Sequence, residues 1–159
     1  MTTDTKTSVR ATTTVDLPIA EAFALFTEDI DTWWNADHHI IEAPLSHMVF
    51  EPFVGGNVYD VGTDGSECRW SRVLAYDPPR RVVFSWDINA QWQIETDPAL
   101  CSEVHVTFTE EAPGTTSVLL EHRHLDRHGE ELLSQIEGMR TGWQEGLIDL
   151  YAAAASQRG

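Results

Sequence analysis

Hydrophobic and polar positions recur along the chain with two different periods, and the changes of period divide it into segments. Residues 8–16 are rich in Thr and Val and are typical of a β-strand that stops before Pro18. A helix is predicted to begin there, because proline is tolerated in a first helical turn. The polar run at 27–29 divides the apolar stripe, so two short helices are expected. The stripe consists of Ile19, Ala22, Phe23, Phe26, Ile30, Trp33 and Trp34.

From Met48 onward the period changes to the alternation of β-strands. Most of the connections are short and rich in Gly, Pro and Asp, which predicts antiparallel neighbours. If Leu120 faces the core, the period of two places His122 on the same face. The further strands are predicted at residues 48–53, 57–61, 68–76, 81–88, 103–109 and 116–124.

The C-terminal segment returns to helical spacing. Three glycines at four-residue intervals, Gly138, Gly142 and Gly146, form a second stripe beside the apolar one. Each costs about 1 kcal/mol relative to Ala inside a helix. They therefore indicate either fraying or a place where side-chain volume is omitted above a sheet, which leaves room for a ligand. The apolar stripe consists of Leu132, Ile136, Met139, Trp143, Leu147, Leu150 and Ala154.

This order of elements predicts an α+β fold. One strand, two short helices, about six more antiparallel strands and a long C-terminal helix form two layers when the sheet curves around the helix. With 159 residues the chain is expected to be a single domain, 1–159, with a flexible N-terminus at residues 1–7.

Charge and cysteine content limit the classes of function. The formal charge is −16, with 26 acidic and 10 basic side chains, which disfavours nucleic acids and anionic membranes as partners. Cys68 and Cys101 form neither a disulfide framework nor a CxxC site. Residues 1–10 lack the apolar run of a signal peptide, so a cytoplasmic protein is expected. A homodimer is compatible with the sequence, although no heptad repeat supports it.

Catalytic and metal-binding signatures are weak. The chain contains no GxSxG, HExxH, GxGxxG or P-loop motif, so no cofactor is expected. His122 and His124 share a strand face and His38-His39 follow the double tryptophan, but a convincing third ligand is lacking and no metal is expected. An acid or base for a cyclase would have to come from a cavity side chain, with Glu67, Arg69, Arg72 and His122 as the candidates.

Several segments together resemble a known family. They are LPIAEAFALFTEDIDTWW (17–34), FEPFVGG (50–56), DGSECRWSRVLAYDPPRRVVFSW (64–86), DPALCSEVHVTFT (97–109) and GWQEGL (142–147). Their order and sequence are similar to the family named after the activator of the heat-shock protein 90 ATPase, within the START-like or SRPBCC superfamily. The resemblance implies the helix-grip fold of the birch pollen allergen, with a deep, mostly apolar cavity between the sheet and the C-terminal helix. Members of that superfamily bind lipids, polyketides, hormones or antibiotics, and some are cyclases.

The six tryptophans are the main clue to what such a cavity would hold. They fall on the elements that would enclose it, and stacking on indole rings would favour flat aromatic ligands. The leading hypothesis is therefore non-catalytic binding, sequestration or transport of a small hydrophobic, aromatic or polyketide-like molecule. The alternatives are a polyketide cyclase or aromatase-like enzyme and a co-chaperone-like protein-interaction module. The residues expected to contact the ligand are Phe26, Trp33, Trp34, Phe50, Trp70, Phe84, Trp86, Trp92, His122, Trp143 and Leu147.

Overall fold

A computed structural model describes residues 7–34 and 42–158. Residues 1–6 of the N-terminal segment 1–7 that was predicted to be flexible, and the histidines His38 and His39, lie outside these described residues. The first described residue, Thr7, is hydrogen-bonded to the segment that follows the last strand: its carbonyl oxygen accepts a hydrogen bond of 2.8 Å from the N–H of Leu125.

Seven antiparallel strands form one curled sheet in the order β1-β7-β6-β5-β4-β3-β2. This confirms the α+β class and the helix-grip arrangement. The predicted strands are all present, with ends shifted by at most three residues. The strands are β1 (Val9–Val15), β2 (Leu45–Phe50), β3 (Asn57–Gly62), β4 (Glu67–Asp77), β5 (Arg81–Trp86), β6 (Ser102–Ala112) and β7 (Thr115–Arg123).

One face of the sheet carries the core because its strands alternate apolar and polar residues. Val104, Val106 and Phe108 of β6 are buried, and so are Leu120 and His122 of β7. In β4 the spacing is irregular: a shift of register against β3 gives the strand an extra residue near Ser71. This bulge allows Trp70 and Val73 to be buried in the same core in spite of their odd separation.

The helices pack on the buried face. The two short elements after β1 are α1 (Ile19–Phe26) and a single 3₁₀ turn (Ile30–Thr32). A second 3₁₀ turn (Pro98–Leu100) lies between β5 and β6, and after β7 come a third (Leu125–His128) and α2 (Glu130–Leu133). The long C-terminal helix of 23 residues consists of α3 (Ile136–Trp143), a π-type turn (Gln144–Ile148) and α4 (Asp149–Arg158).

Because of the π-type turn, the buried face of the C-terminal helix differs from the apolar stripe that the sequence predicted. An i→i+5 turn adds one residue to the helical cycle, so the buried face moves one position along the sequence. The helix therefore buries Tyr151 and Ala155, whereas Leu150 is 37% exposed and Ala154 only partly buried. The sequence placed Leu150 and Ala154 on the apolar stripe by assuming a regular helix; Ala154 does pack against the core, partly buried, but Leu150 does not.

The side chain of Gln144 fastens the π-type turn to the edge strand β1. Its Oε1 accepts a hydrogen bond of 3.1 Å from the N–H of Thr12, and its Nε2 donates one of 3.1 Å to the carbonyl oxygen of Thr12. Seven residues after Gln144, the hydroxyl of Tyr151 donates to the carbonyl oxygen of Ala22 at 2.7 Å. These contacts fix the helix relative to both the sheet and α1.

Candidate functional site

A cavity of about 630 Å³ lies between the curled sheet and the C-terminal helix. Strands β3, β4 and β5 form one side, α2, α3 and the π-type turn the other, and the loop after β5 forms the rim. The lining is mostly apolar, and its polar side chains are Asp60, Asn89 and Gln135. The other lining residues are Trp34, Trp70, Trp86, Ile88, Ala90, Trp92, Leu132, Gly138, Met139, Gly142, Trp143 and Leu147.

Four of the six tryptophans form a closed ring of contacts in the wall, which we call the tryptophan ring: Trp34, Trp70, Trp86 and Trp143. The ring centroids of neighbours are 5.4 to 6.4 Å apart. Trp34 and Trp70 are inclined by only 31°, whereas the other three pairs meet at 64 to 78°. Such tilted and edge-to-face contacts stabilise aromatic clusters and hold the ring planes in fixed directions. The wall is therefore a rigid aromatic surface.

Two glycines of α3 face the cavity. A Cβ atom built on Gly138 or Gly142 would meet no atom within 4 Å apart from their own chain neighbours. Both residues line the cavity, so the volume that their missing side chains leave is part of it. This placement favours the interpretation that volume is omitted for a ligand.

Trp92 lies at the rim and is 64% exposed, in contrast to the buried tryptophans. Its backbone adopts a positive φ of 60°, which is uncommon for a bulky residue. The loop is held by Asn89, whose Oδ1 accepts hydrogen bonds of 3.0 Å from the N–H groups of Gln91 and Gln93. Gln91 also donates to Glu131 at 2.5 Å, which joins the loop to α2 across the rim.

Asp60 is the one ionisable residue among the described residues that line the cavity. It follows Val58 on the inward face of β3 and is 2% exposed. One of its partners is the indole of Trp70, whose Nε1–H donates to its Oδ1 at 3.2 Å. Burial together with the negative charge of Asp60 raises the pKa of the nearby Cys68 thiol. The sequence reasoning missed Asp60, although its position two residues after Val58 in an alternating strand was the available signal.

His122 is buried beside the tryptophan ring and does not line the cavity. Its Nδ1 accepts a hydrogen bond of 3.0 Å from Trp143 Nε1, and its Nε2 lies 2.7 Å from the hydroxyl of Ser102. Ser102 in turn lies 2.8 Å from Nε2 of His128. Complete burial lowers the pKa of His122 to about 3, with a smaller contribution from His128. A neutral His122 therefore orients the indole of Trp143 by accepting its N–H on the side away from the cavity.

The predicted contact residues fall into two groups. Trp34, Trp70, Trp86, Trp92, Trp143 and Leu147 line the cavity. The others are core residues outside the lining: Phe26, Trp33, Phe50, Phe84 and His122. Trp33, for example, packs against Phe26 and Tyr151 and donates from Nε1 to the carbonyl oxygen of Leu25 at 2.7 Å.

The remaining catalytic candidates point elsewhere. Glu67 and Arg69 are exposed and pair with each other at 3.1 Å. Arg72 forms a two-pronged ion pair with Asp87, with both distances 3.1 Å. Within residues 7–34 and 42–158, no group of three or more His, Cys, Asp or Glu side chains is placed to hold a metal ion. None of the described helices is long and apolar enough to cross a membrane.

Comparison with known proteins gives both family and fold matches. The family described as "Activator of Hsp90 ATPase homolog 1-like protein" matches residues 16–155. The solved structure of an anthrahydroquino-gamma-pyrone synthase, Txn09, is 35% identical, covers 82% of this chain and 84% of its own, and has a TM-score of 0.59. The self-sacrificing resistance protein CalC from Micromonospora echinospora is 27% identical over 98% of both chains, with a TM-score of 0.71. No curated protein matches the sequence.

Proposed function

The chain belongs to the family of Activator of Hsp90 ATPase homolog 1-like proteins, and from the cavity of this member we propose that it binds a small, planar, aromatic molecule without transforming it. The observation that carries this proposal is the tryptophan ring in the cavity wall. Rigid indole faces and edges recognise flat rings through stacking and edge-to-face contacts. The fold alone would support only a ligand of unspecified chemistry.

The size and lining of the cavity support a ligand of several fused rings. Small-molecule sites usually enclose about 300–1,000 Å³ and combine apolar walls with a few polar groups. The cavity here encloses about 630 Å³ and has three polar side chains in its lining. Txn09, the 35% identical protein, carries a name that denotes synthesis of a fused polycyclic product, which agrees in kind with the proposed ligand.

The test is a tryptophan-fluorescence titration with 9-anthracenemethanol, a neutral planar probe that absorbs where tryptophan emits. Saturable quenching with a stoichiometry of one is expected, because the probe would lie in the cavity against the tryptophan ring. Native mass spectrometry of the purified protein checks in parallel for a small molecule already bound. Quenching that does not saturate would overturn the proposal.

A cavity-filling variant with a matched control locates the bound probe. Gly142→Leu fills space that is empty in the structure, so it is expected to weaken binding of 9-anthracenemethanol by about tenfold or more, a change of about 1.4 kcal/mol. Thr141→Leu places the same leucine side chain at the preceding, exposed position of α3 and should leave the affinity within about threefold. Equal effects of the two variants would place the probe outside the cavity.

A cyclase-like enzyme is the second candidate, and the buried carboxylate of Asp60 is the observation that favours it. A carboxylate at the wall is a candidate general base for a ring closure. Conversion is tested by incubating the protein with any small molecule that native mass spectrometry identifies, beside the Asp60→Asn variant. Turnover by the original chain and its loss in the variant would favour the enzyme over the binding protein.

A further inference from the structure

Although the cavity lining is mostly apolar, its charged side chains among the described residues are of one sign only. Its polar lining consists of one acidic group, Asp60, and two neutral amides, Asn89 and Gln135. No Arg, Lys or His of the described ranges lines the cavity. The negative charge of Asp60 raises the pKa of the nearby Cys68 thiol, so this part of the wall is negatively charged.

A carboxylate that is 98% removed from solvent needs donors, since burial of a charge is costly without hydrogen bonds. The indole N–H of Trp70 is one of the donors to this carboxylate, at 3.2 Å. A ligand that brings an N–H or O–H group to Asp60 adds a charge-assisted hydrogen bond. A ligand that brings an anion meets a like charge in a medium of low dielectric constant.

The tryptophan ring adds to the same preference. Indole faces attract cations through their negative electrostatic faces, by about 0.5–2 kcal/mol. The protein as a whole carries a formal charge of −16, which draws cations towards it and repels anions. The local carboxylate, the aromatic wall and the overall field therefore all act in the same direction.

We propose that the ligand is a planar aromatic molecule that presents a hydrogen-bond donor to Asp60, and that a positively charged donor such as an ammonium group is preferred and a carboxylate rejected. This inference rests on the proposed function, because it specifies the polar end of the molecule whose rings contact the tryptophan ring. Asp60 selects the ligand, and the tryptophans provide the stacking surface.

The experiment compares three probes with one ring system and different charges. They are 9-(aminomethyl)anthracene as the cation, 9-anthracenemethanol as the neutral donor and 9-anthracenecarboxylate as the anion. Tryptophan quenching at pH 7.5 is expected to show the cation bound at least about tenfold more tightly than the anion, with the alcohol between them. Because this order is measured on the unmodified protein, it is decisive even if an Asp60 variant does not fold.

Two variants, each of which loses one negative charge, distinguish the effect of Asp60 on binding from the effect of the protein's overall negative charge. Asp60→Asn keeps the shape of the side chain and is expected to weaken cation binding by about tenfold while leaving the alcohol within about threefold. Glu110→Gln removes an exposed carboxylate of β6 outside the lining and should leave all three affinities unchanged. Circular dichroism establishes that the variants are folded.

The outcomes distinguish this inference from the proposed function. If none of the three probes binds, the proposed function fails and the inference fails with it. If all three bind equally well, or the anion binds best, the planar-ligand proposal stands and the charge preference is overturned. If Asp60→Asn and Glu110→Gln weaken cation binding equally, the overall field and not Asp60 makes the selection.

Discussion

At the scale of single residues, the role of a buried polar group depends on whether it faces other protein groups or the cavity. His122 and Asp60 are both removed from solvent and both accept a hydrogen bond from a tryptophan indole. His122 lies behind Trp143 with both ring nitrogens in contact with protein groups, whereas Asp60 lies in the cavity lining. The first is a positioning residue for the wall, and the second is part of the cavity surface.

The buried His122 predicts acid sensitivity. Its pKa falls to about 3 in the folded state from 6.5, so below pH 6.5 the unfolded chain takes up a proton that the folded chain does not. The stability from this group is present above pH 6.5 and is lost as the pH falls, by about 1.4 kcal/mol per pH unit. Urea unfolding between pH 7.5 and 5 is expected to show this decline.

The variant His122→Gln isolates the effect. It should be less stable at pH 7.5 by about 1–3 kcal/mol, because it disturbs the acceptor of Trp143, but its stability should depend less steeply on pH. His47 is exposed in β2, so His47→Gln serves as the control and should retain the original slope. An unchanged slope in His122→Gln would contradict the assignment.

At the scale of elements, glycine has opposite roles in the long helix and in the hairpin turns. Gly142 lies in α3 with open space beside it and no unusual backbone angle. Gly114 also has open space beside it, but its φ of +80° belongs to the left-handed region that other residues avoid. The first glycine is therefore dispensable for the fold, and the second is required by it.

This difference predicts opposite signs for the same substitution. Gly142→Ala should stabilise the protein by about 1 kcal/mol, because alanine is the better helix former and its methyl group meets no neighbour. Gly114→Ala should destabilise it by about 1 kcal/mol or more, because the turn strains an alanine. Thermal unfolding should show shifts of about 2–4 °C per kcal/mol in opposite directions. A loss of stability in Gly142→Ala would mean that the helix passes closer to the sheet than the structure shows.

Local periodicity predicted the elements but not their irregularities. The strands followed from alternation and turn residues, and the helical stripe identified Trp143 and Leu147. The π-type turn moved the buried face from Leu150 to Tyr151, because the turn is set by tertiary contacts of Gln144 and Tyr151. Similarly, neither the bulge in β4 nor the closure of the tryptophan ring is encoded in the spacing of nearby residues. Both depend on the pairing of distant segments.

At the scale of the whole molecule, the fold carries a large excess of negative charge. The formal charge is −16, and several carboxylates are paired at the surface, such as Glu67 with Arg69 and Asp29 with Arg158, both at 3.1 Å. Pairing of this kind at a surface contributes little, about 0–1 kcal/mol per pair. Repulsion among the remaining carboxylates should therefore dominate the long-range electrostatics.

Salt is accordingly expected to stabilise the protein. Raising NaCl from about 0.02 to 0.3 M shortens the Debye length and screens the repulsion, so the Tm should rise by a few degrees. Potassium chloride at equal ionic strength is the control for specific binding of sodium ions and should give the same rise. A Tm that falls with salt would show that attractive ion pairs outweigh the repulsion.

The amide of Gln144 also covers main-chain groups at one edge of the sheet. β1 is at the edge of the sheet, and edge strands present free N–H and C=O groups on which another chain can add a strand. Gln144 occupies both main-chain groups of Thr12, at the midpoint of β1. A strand from a second molecule would have to displace this amide before it could pair there. The contact that joins the helix to the sheet thus also protects this edge from cross-β aggregation.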